Sequence, residues 1–233
     1  MKSRAETSWD ELRTEKKPDT AKAATFGDDT AFLKRHTALI ELSDRSGKAK
    51  VAVCPAYQGR VMTSSAGGDS GLSFGWINRE LITSGKTQPH INVFGGEDRF
   101  WLGPEGGQFS IFFAKGAKFE LSDWFTPAAI DTIPYEVAKQ NKSSATFRAS
   151  FDLTNYSGTR FHVKVNRDVK LLTAKRAAEQ LGVPTGEDVS VVAYETVNKI
   201  KMGQLAHLVK IILMRAPAEM KRAVQRIVGD DVE

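Results

Sequence analysis

The sequence is poor in the residues that build disulfide scaffolds and metal clusters. Cys54 is its only cysteine, so neither an intramolecular disulfide nor a thiolate metal cluster can form. The four histidines are scattered along the chain instead of lying at the short spacing that a zinc site requires: His36, His90, His162 and His207. We therefore expect no metal and no cofactor, and we expect the Cys54 thiol to be a buried structural group.

Long hydrophobic runs are also missing. No stretch approaches the roughly 18 apolar residues that span a bilayer, and the first 26 residues carry charge without the apolar core of a secretory signal. The 33 basic and 28 acidic residues are interleaved, so the net charge of +5 forms no basic stripe of the kind that nucleic-acid-binding proteins carry. These absences predict a cytoplasmic protein that binds neither a membrane nor a nucleic acid.

Alternating apolar and polar residues predict antiparallel strands through the middle of the chain. Residues 38–43 and 48–53 flank the turn sequence DRSG and predict a hairpin, followed by a strand from residue 60. Period-two alternation covers 145–154, and after the NYSG turn the apolar residues occupy positions 161, 163, 165, 169 and 171. Strands with one buried and one solvated face are typical of an antiparallel β-sandwich.

Other segments depart from this β pattern. Residues 173–182 favour a short helix inserted between strands, before a β-rich stretch over 187–200. Residues 1–25 have little apolar periodicity and predict a flexible arm. None of the 21 aromatic residues follows Tyr194, and from position 205 the apolar residues have helical spacing. This spacing predicts an amphipathic helical tail over 201–233, which is a partner helix, a membrane-surface helix or a segment foreign to the fold.

The segment PHINVFGGEDRFWLGPEGGQFSIFF, residues 89–113, concentrates reactive side chains on a Gly-rich backbone. It lacks the Lys-Ser/Thr and the following helix of a phosphate-binding loop. A polar sugar cleft accounts for its composition, because carboxylates and arginines pair with adjacent hydroxyls and a Trp ring covers the C–H side of a pyranose. The alternatives are a core position for Trp101 and structural ion pairs, Asp98 with Arg99 or Glu97 with Arg79.

The run VCPAYQGRVMTSSA…LSFGWINRELI, the segment just quoted and the later run DLTNYSGTRFHVKVNRDVKLL resemble a bacterial family of unknown function. That family is placed with the galactose mutarotase-like, or aldose 1-epimerase-like, β-sandwiches. The resemblance covers about residues 26–200. It implies a large antiparallel sandwich that binds carbohydrate on its concave face.

The resemblance also implies a mechanism and site residues. In the enzymes of that superfamily a histidine acts as acid at the ring oxygen and a glutamate from late strands acts as base on the anomeric hydroxyl. His90 is the implied acid. We assign Glu97 as the base, with Glu105 and Glu195 as alternatives, because nothing in the sequence selects among the three glutamates. The implied substrate-binding residues are Arg79, Asp98, Arg99, Trp101 and Glu105.

Members of that superfamily are longer and continue with strands after the point reached at residue 200. We therefore expect 26–200 to be a partial, apparently truncated sandwich and 201–233 to be a replaced C-terminus or a frame change. An open sheet edge would favour an oligomer or a covering partner. The expected function is a carbohydrate-binding mutarotase-like domain, with isomerase chemistry in the intact family and none in this form. The alternatives are a non-catalytic glycan- or protein-binding module and a non-functional fragment.

Overall fold

Two antiparallel sheets form the framework of the part of the chain that the structure describes. The computed structural model describes residues 23–182 and 189–203. The first sheet has three strands in chain order: β1 (Ile40–Ser43), β2 (Lys50–Cys54) and β3 (Arg60–Ser65). The second has four, also in chain order: β4 (Glu136–Gln140), β5 (Ser144–Thr154), β6 (Arg160–Leu172) and β7 (Ala193–Gly203). The predicted all-β, sandwich-like fold is confirmed.

The first sheet begins with the predicted hairpin. Leu42 pairs with Val51 in the β1–β2 register, and both side chains are fully buried. The same register continues into β3, where Cys54 pairs with Arg60 after a β-bulge that shifts the pairing at Val53. All six residues of β3 are buried, so this strand lies in the interior of the protein.

The second sheet is built on the long hairpin of β5 and β6. The pairing is unbroken from Ser144 with Lys170 to Thr154 with Arg160, as the alternation of the sequence predicts. The turn closes at Gly158, which has a φ of 83° that L side chains rarely adopt. The odd positions of β6 face the first sheet and the even positions face solvent, so apolar burial fixes the register.

The main hydrophobic core lies between the two sheets. Leu42, Val51 and Val61 from the first sheet meet Phe147 and Val165 from the second. Each fully buried side chain of this size contributes about 1.5–3 kcal/mol. Loop residues 100–130 add further aromatic side chains to the same core: Phe100, Phe112, Phe113 and the partly buried Trp101 and Trp124.

Within the described residues three helices accompany the sheets: α1 (Phe26–His36), α2 (Arg79–Ser84) and α3 (Ala174–Leu181). Helix α1, which the sequence pattern did not predict, starts with a capping box in which the Thr25 and Asp28 side chains each accept a hydrogen bond from the other's backbone N–H. Helix α3 is the predicted inserted helix and ends at Gly182 in the left-handed conformation. Four single turns of 3-10 helix complete the described elements: Pro55–Tyr57, Gly68–Ser70, Leu121–Asp123 and Ala128–Ile130.

The structure describes only a small part of the segments predicted at the two ends of the chain. Strand β7 continues through Gly203, three residues beyond the boundary placed at residue 200. The helical tail predicted from that boundary onward, from residue 204, lies outside the described residues, and so does the predicted arm over 1–22. In the part of the chain that the structure describes, no helix has the length and apolar character needed to cross a membrane.

Candidate functional site

The Gly-rich segment is fixed beside β3 by its backbone. Glu97 N donates to Val61 O at 2.8 Å, and Val61 N donates to Asp98 O at 2.9 Å. A Cβ at Gly95, where φ is 90°, would lie 2.2 Å from the carbonyl oxygen of Trp76. The close approach therefore requires glycine, and it places the following acidic residues at the first sheet.

Asp98 reaches across to the inner face of the second sheet, the face that meets the first sheet. Its carboxylate pairs with Arg167 of β6, whose side chain is fully buried. The same guanidinium donates through Nε to Gly59 O at 3.0 Å and to Asn198 Oδ1 of β7 at 3.0 Å. A buried charge of this kind is tolerated because it is both paired and hydrogen-bonded.

Glu97 reaches the same face one strand further. Its carboxylate accepts from Ser64 Oγ at 2.9 Å and from the Tyr194 hydroxyl of β7 at 3.1 Å. Burial, together with the nearby charge of Glu97, raises the pKa of Tyr194, so its hydroxyl keeps the proton that it donates. We call Glu97, Asp98, Arg167, Tyr194 and Asn198 the inner-face cluster.

An apolar groove continues from this cluster along β7. Ile200 and Met202 follow Asn198 on the same face of the strand, and their side chains are 42% and 43% exposed. The groove has a volume of about 400 Å³. Its apolar walls include Leu102, Phe109, Ile111, Phe161, Ile200 and Met202. Polar and apolar groups thus adjoin along β7, the edge strand of the second sheet within the described residues.

His90 belongs to a separate group of rings. Its Nδ1 lies 2.6 Å from Trp124 O, and its ring stacks on Phe125 with centroids 4.5 Å apart. Trp124 stacks in turn on Phe112 at 5.1 Å, and Phe112 contacts Trp101 at 5.2 Å. These contacts connect His90 to Trp101 through the aromatic part of the core.

Arg99 occupies one side of the Trp101 ring. Its guanidinium carbon lies 4.2 Å from the ring centroid, while its NH2 nitrogen donates to Ile130 O at 2.8 Å and pairs with Asp131 at 3.3 Å. Burial lowers the pKa of Arg99, and the charge of Asp131 opposes that shift. The indole nitrogen of Trp101 donates to Glu105 at 2.7 Å. One ring face and the polar edge of Trp101 are therefore already in contact with protein groups.

The structure thus divides the residues predicted from the sequence into three groups. Glu97 and Asp98 join the inner-face cluster, and Arg79 pairs with Asp29 of α1. The remaining four lie along the ring contacts: His90, Arg99, Trp101 and Glu105. Within the described residues no hydrogen bond connects His90 with any of the three candidate bases, and Glu195 lies on the outer face, 3.6 Å from Lys170.

The two ion pairs considered from the sequence are not formed. Asp98 pairs with Arg167 instead of its neighbour Arg99, and Glu97 accepts from hydroxyl groups instead of Arg79. Arg167 was not predicted, although it is the charged residue at an odd position of an otherwise apolar strand face. That break in the alternation was the available signal. No group of three His, Cys, Asp or Glu residues suited to a metal ion occurs within 23–182 and 189–203.

Comparisons with known proteins identify the family of the chain but no activity. Residues 24–207, most of the chain, match the profile of DUF6786, a family of unknown function. No curated protein and no solved structure matches the chain. The chain therefore belongs to the DUF6786 family.

Proposed function

We propose that this domain binds a carbohydrate on the inner face of the second sheet, where the inner-face cluster meets the apolar groove. The observation that carries the proposal is that Glu97 and Asp98, from the Gly-rich segment, reach Tyr194 and Arg167 of the sheet respectively, and that Arg167 also donates to Asn198. A sugar presents hydroxyls on its rim and C–H groups on its faces. It therefore needs a row of donors and acceptors beside an apolar surface.

The polar half of the site is held in a fixed position yet open to a ligand. Arg167 is fully buried and holds Asp98, whose side chain remains 31% exposed. A carboxylate can accept more hydrogen bonds than Asp98 receives from this one arginine, and the exposed Asn198 amide offers two N–H donors while its oxygen accepts from Arg167. Groups whose orientation is set by buried partners bind without a large loss of side-chain entropy.

The apolar half has a suitable size. A volume of about 400 Å³ lies within the range of small-molecule sites, roughly 300–1,000 Å³. Ile200 and Met202 supply exposed apolar surface one and two sheet rows from Asn198. The resemblance to mutarotase-like sandwiches, which bind sugars on the concave face, also supports a sugar at this surface.

Binding without conversion is the activity that this geometry favours. Epimerase chemistry requires an acid and a base on opposite sides of one sugar ring. His90 contacts the 124–125 segment, whereas Glu97 contacts β3 and β7. With the two groups held by different parts of the fold, a glycan-binding module is the simpler function.

Saturation-transfer NMR with a panel of aldoses tests the proposal. We expect transfer to at least one sugar, and we expect Asn198→Ala to weaken that binding about fivefold, the worth of one hydrogen bond of about 1 kcal/mol. Val197→Ala is the matched control because Val197 lies next in the chain on the outer face and is 43% exposed. Absence of transfer from every sugar, or equal weakening by both variants, would refute a sugar site here.

The same spectra also test for catalysis. Protein-dependent acceleration of the exchange between α and β anomers would show epimerase activity, contrary to the binding-only proposal. In that case His90→Asn should abolish the acceleration while sparing binding, and an unchanged exchange rate would remove His90 from the mechanism. Binding with unchanged exchange supports a module.

A further inference from the structure

The outer face of the second sheet carries an unbalanced group of positive charges. Arg148 of β5 faces Asn166 of β6, which faces Lys199 of β7. In the adjoining row Lys164 of β6 directly faces Lys201 of β7. Strands lie about 4.8 Å apart and alternate residues about 6.6 Å apart, so the Cα atoms of the four cations fall within about 12 Å. We call Arg148, Lys164, Lys199 and Lys201 the outer basic cleft.

The structure forms a depression at these residues. The cleft has a volume of about 390 Å³, and all four cations line it. Glu136 is the one acidic residue on its lining. Within 23–182 and 189–203 none of the four cations belongs to an ion pair, and the Arg148 guanidinium has only a 3.4 Å contact from Nε to Asn166 Oδ1. The cleft therefore has an excess of three positive charges.

The neighbouring rows of the same face carry acidic residues. On one side Asp152 contacts His162 at 2.8 Å and Arg160 at 3.9 Å. On the other side Asp168, in the next row, accepts from the Thr146 hydroxyl at 2.6 Å and from the Asn166 amide at 3.3 Å. One row further, Lys170 pairs with Glu195 at 3.6 Å. Acidic residues are thus present on this face, but within the described residues none of them forms an ion pair with a cation of the cleft.

Placing Lys164 opposite Lys201 has an energetic cost. Like charges directly opposite each other on a sheet destabilise it, and here no intervening acid relieves the repulsion. An anionic ligand lying along the cleft would convert the repulsion into attraction for all four cations. The four cations therefore destabilise the sheet when no anion is bound, and they attract an anion that enters the cleft.

We propose that the outer basic cleft binds an acidic polysaccharide, a polymer with a carboxylate on each sugar ring. Such a ligand presents regularly spaced negative charges to the row of cations, and it makes few demands on apolar contact. No aromatic ring lines the cleft, whereas proteins that bind single-stranded nucleic acids stack bases on aromatic side chains. The proposal does not depend on the inner-face sugar site, because the ligand is recognised by charge on the opposite face.

Retention of the full chain on immobilised polygalacturonate, at increasing salt, tests this inference. Lys164→Gln combined with Lys199→Gln should lower the affinity about 25-fold at low salt, at about fivefold per lysine, and should reduce the slope of log affinity against log salt by about 2. The control is Lys86→Gln combined with Lys118→Gln, which removes two exposed lysines outside the cleft. The control should bind as the unmodified chain does.

Several outcomes would overturn the inference. The inference fails if the unmodified chain is not retained on polygalacturonate, or if it is retained equally on uncharged dextran. It also fails if both double variants lose the same affinity, or if single-stranded DNA with the same number of charges binds more tightly than polygalacturonate. A fold check accompanies the assay: Lys164→Gln alone should raise the urea midpoint while weakening retention, because it removes the repulsion from Lys201. Asn198→Ala should leave retention unchanged, so the failure of one proposal is distinguishable from the failure of the other.

Discussion

The ion pair between Asp98 and Arg167 allows a quantitative test of how the Gly-rich segment is held. The two partners have unequal burial: the Arg167 side chain is fully buried, and the Asp98 side chain is 31% exposed. Asp98→Ala leaves a guanidinium charge in the interior without its carboxylate. Breaking a buried pair in this way costs about 3–5 kcal/mol in the free energy of unfolding.

The reverse substitution should cost less. Arg167→Met replaces the guanidinium with an apolar side chain of similar length, and water can solvate the exposed part of Asp98. The main remaining loss is the hydrogen bond to Gly59 O, worth about 1 kcal/mol, so we expect about 1–2 kcal/mol in total. The double variant should cost less than the sum of the single variants, by about 2 kcal/mol.

Urea unfolding measures these differences. With a slope of about 2 kcal/mol per molar, typical of domains of this size, Asp98→Ala should shift the midpoint by about 2 M and Arg167→Met by less than 1 M. The reasoning fails if Arg167→Met is the more damaging change, or if the two costs add without coupling. Either result would mean that burial of Arg167 does not control the stability of the pair.

Two further predictions concern Cys54 and Gly95. Burial raises the pKa of the Cys54 thiol from 9.0 to about 12; the unfolded chain thus loses this proton at lower pH than the folded chain, and stability should fall as pH rises from 9 towards 12. The urea midpoint should accordingly drop more between pH 8 and pH 10 in the unmodified chain than in Cys54→Ala, and equal drops would contradict the burial argument. Gly95→Ala should destabilise the fold by more than 2 kcal/mol, because the new Cβ would meet Trp76 O at 2.2 Å. Gly116→Ala, with a φ of 82° and no atom within 4 Å, isolates the backbone strain at about 1 kcal/mol; similar losses in both variants would refute the clash.

Local patterns in the sequence predicted the strands well where the pairing is local. The β5–β6 hairpin follows from alternation on both sides of one tight turn. The face of the sheet on which each side chain lies can therefore be predicted without knowing the rest of the fold. Helix α1 was missed because its apolar stripe is weak. A Thr25–Asp28 capping box, with acidic residues in the first turn and basic residues in the last, was nevertheless present in the sequence.

The candidate site could be predicted only in part, because its partners come from distant positions. The composition of the Gly-rich segment drew attention to its charged side chains, but Asp98 pairs with a residue 69 positions away and Arg79 with one 50 positions away. Such pairs depend on how distant segments of the chain pack against each other, and alternation within one strand contains no information about that packing. The roles proposed for His90, Trp101 and Glu105 remain predictions.

Chain order within the two sheets has a consequence for folding. Neighbouring strands in each sheet are also consecutive along the chain, and connections of three to six residues join all of them except β6 and β7, so most pairings close short loops at small entropic cost. Contacts between the sheets join residues far apart in sequence, as between β1 and β6. We therefore expect the hairpins to form early and the docking of one sheet on the other to limit the folding rate. The Gly-rich segment, which touches both sheets, would reach its final position only in that last step.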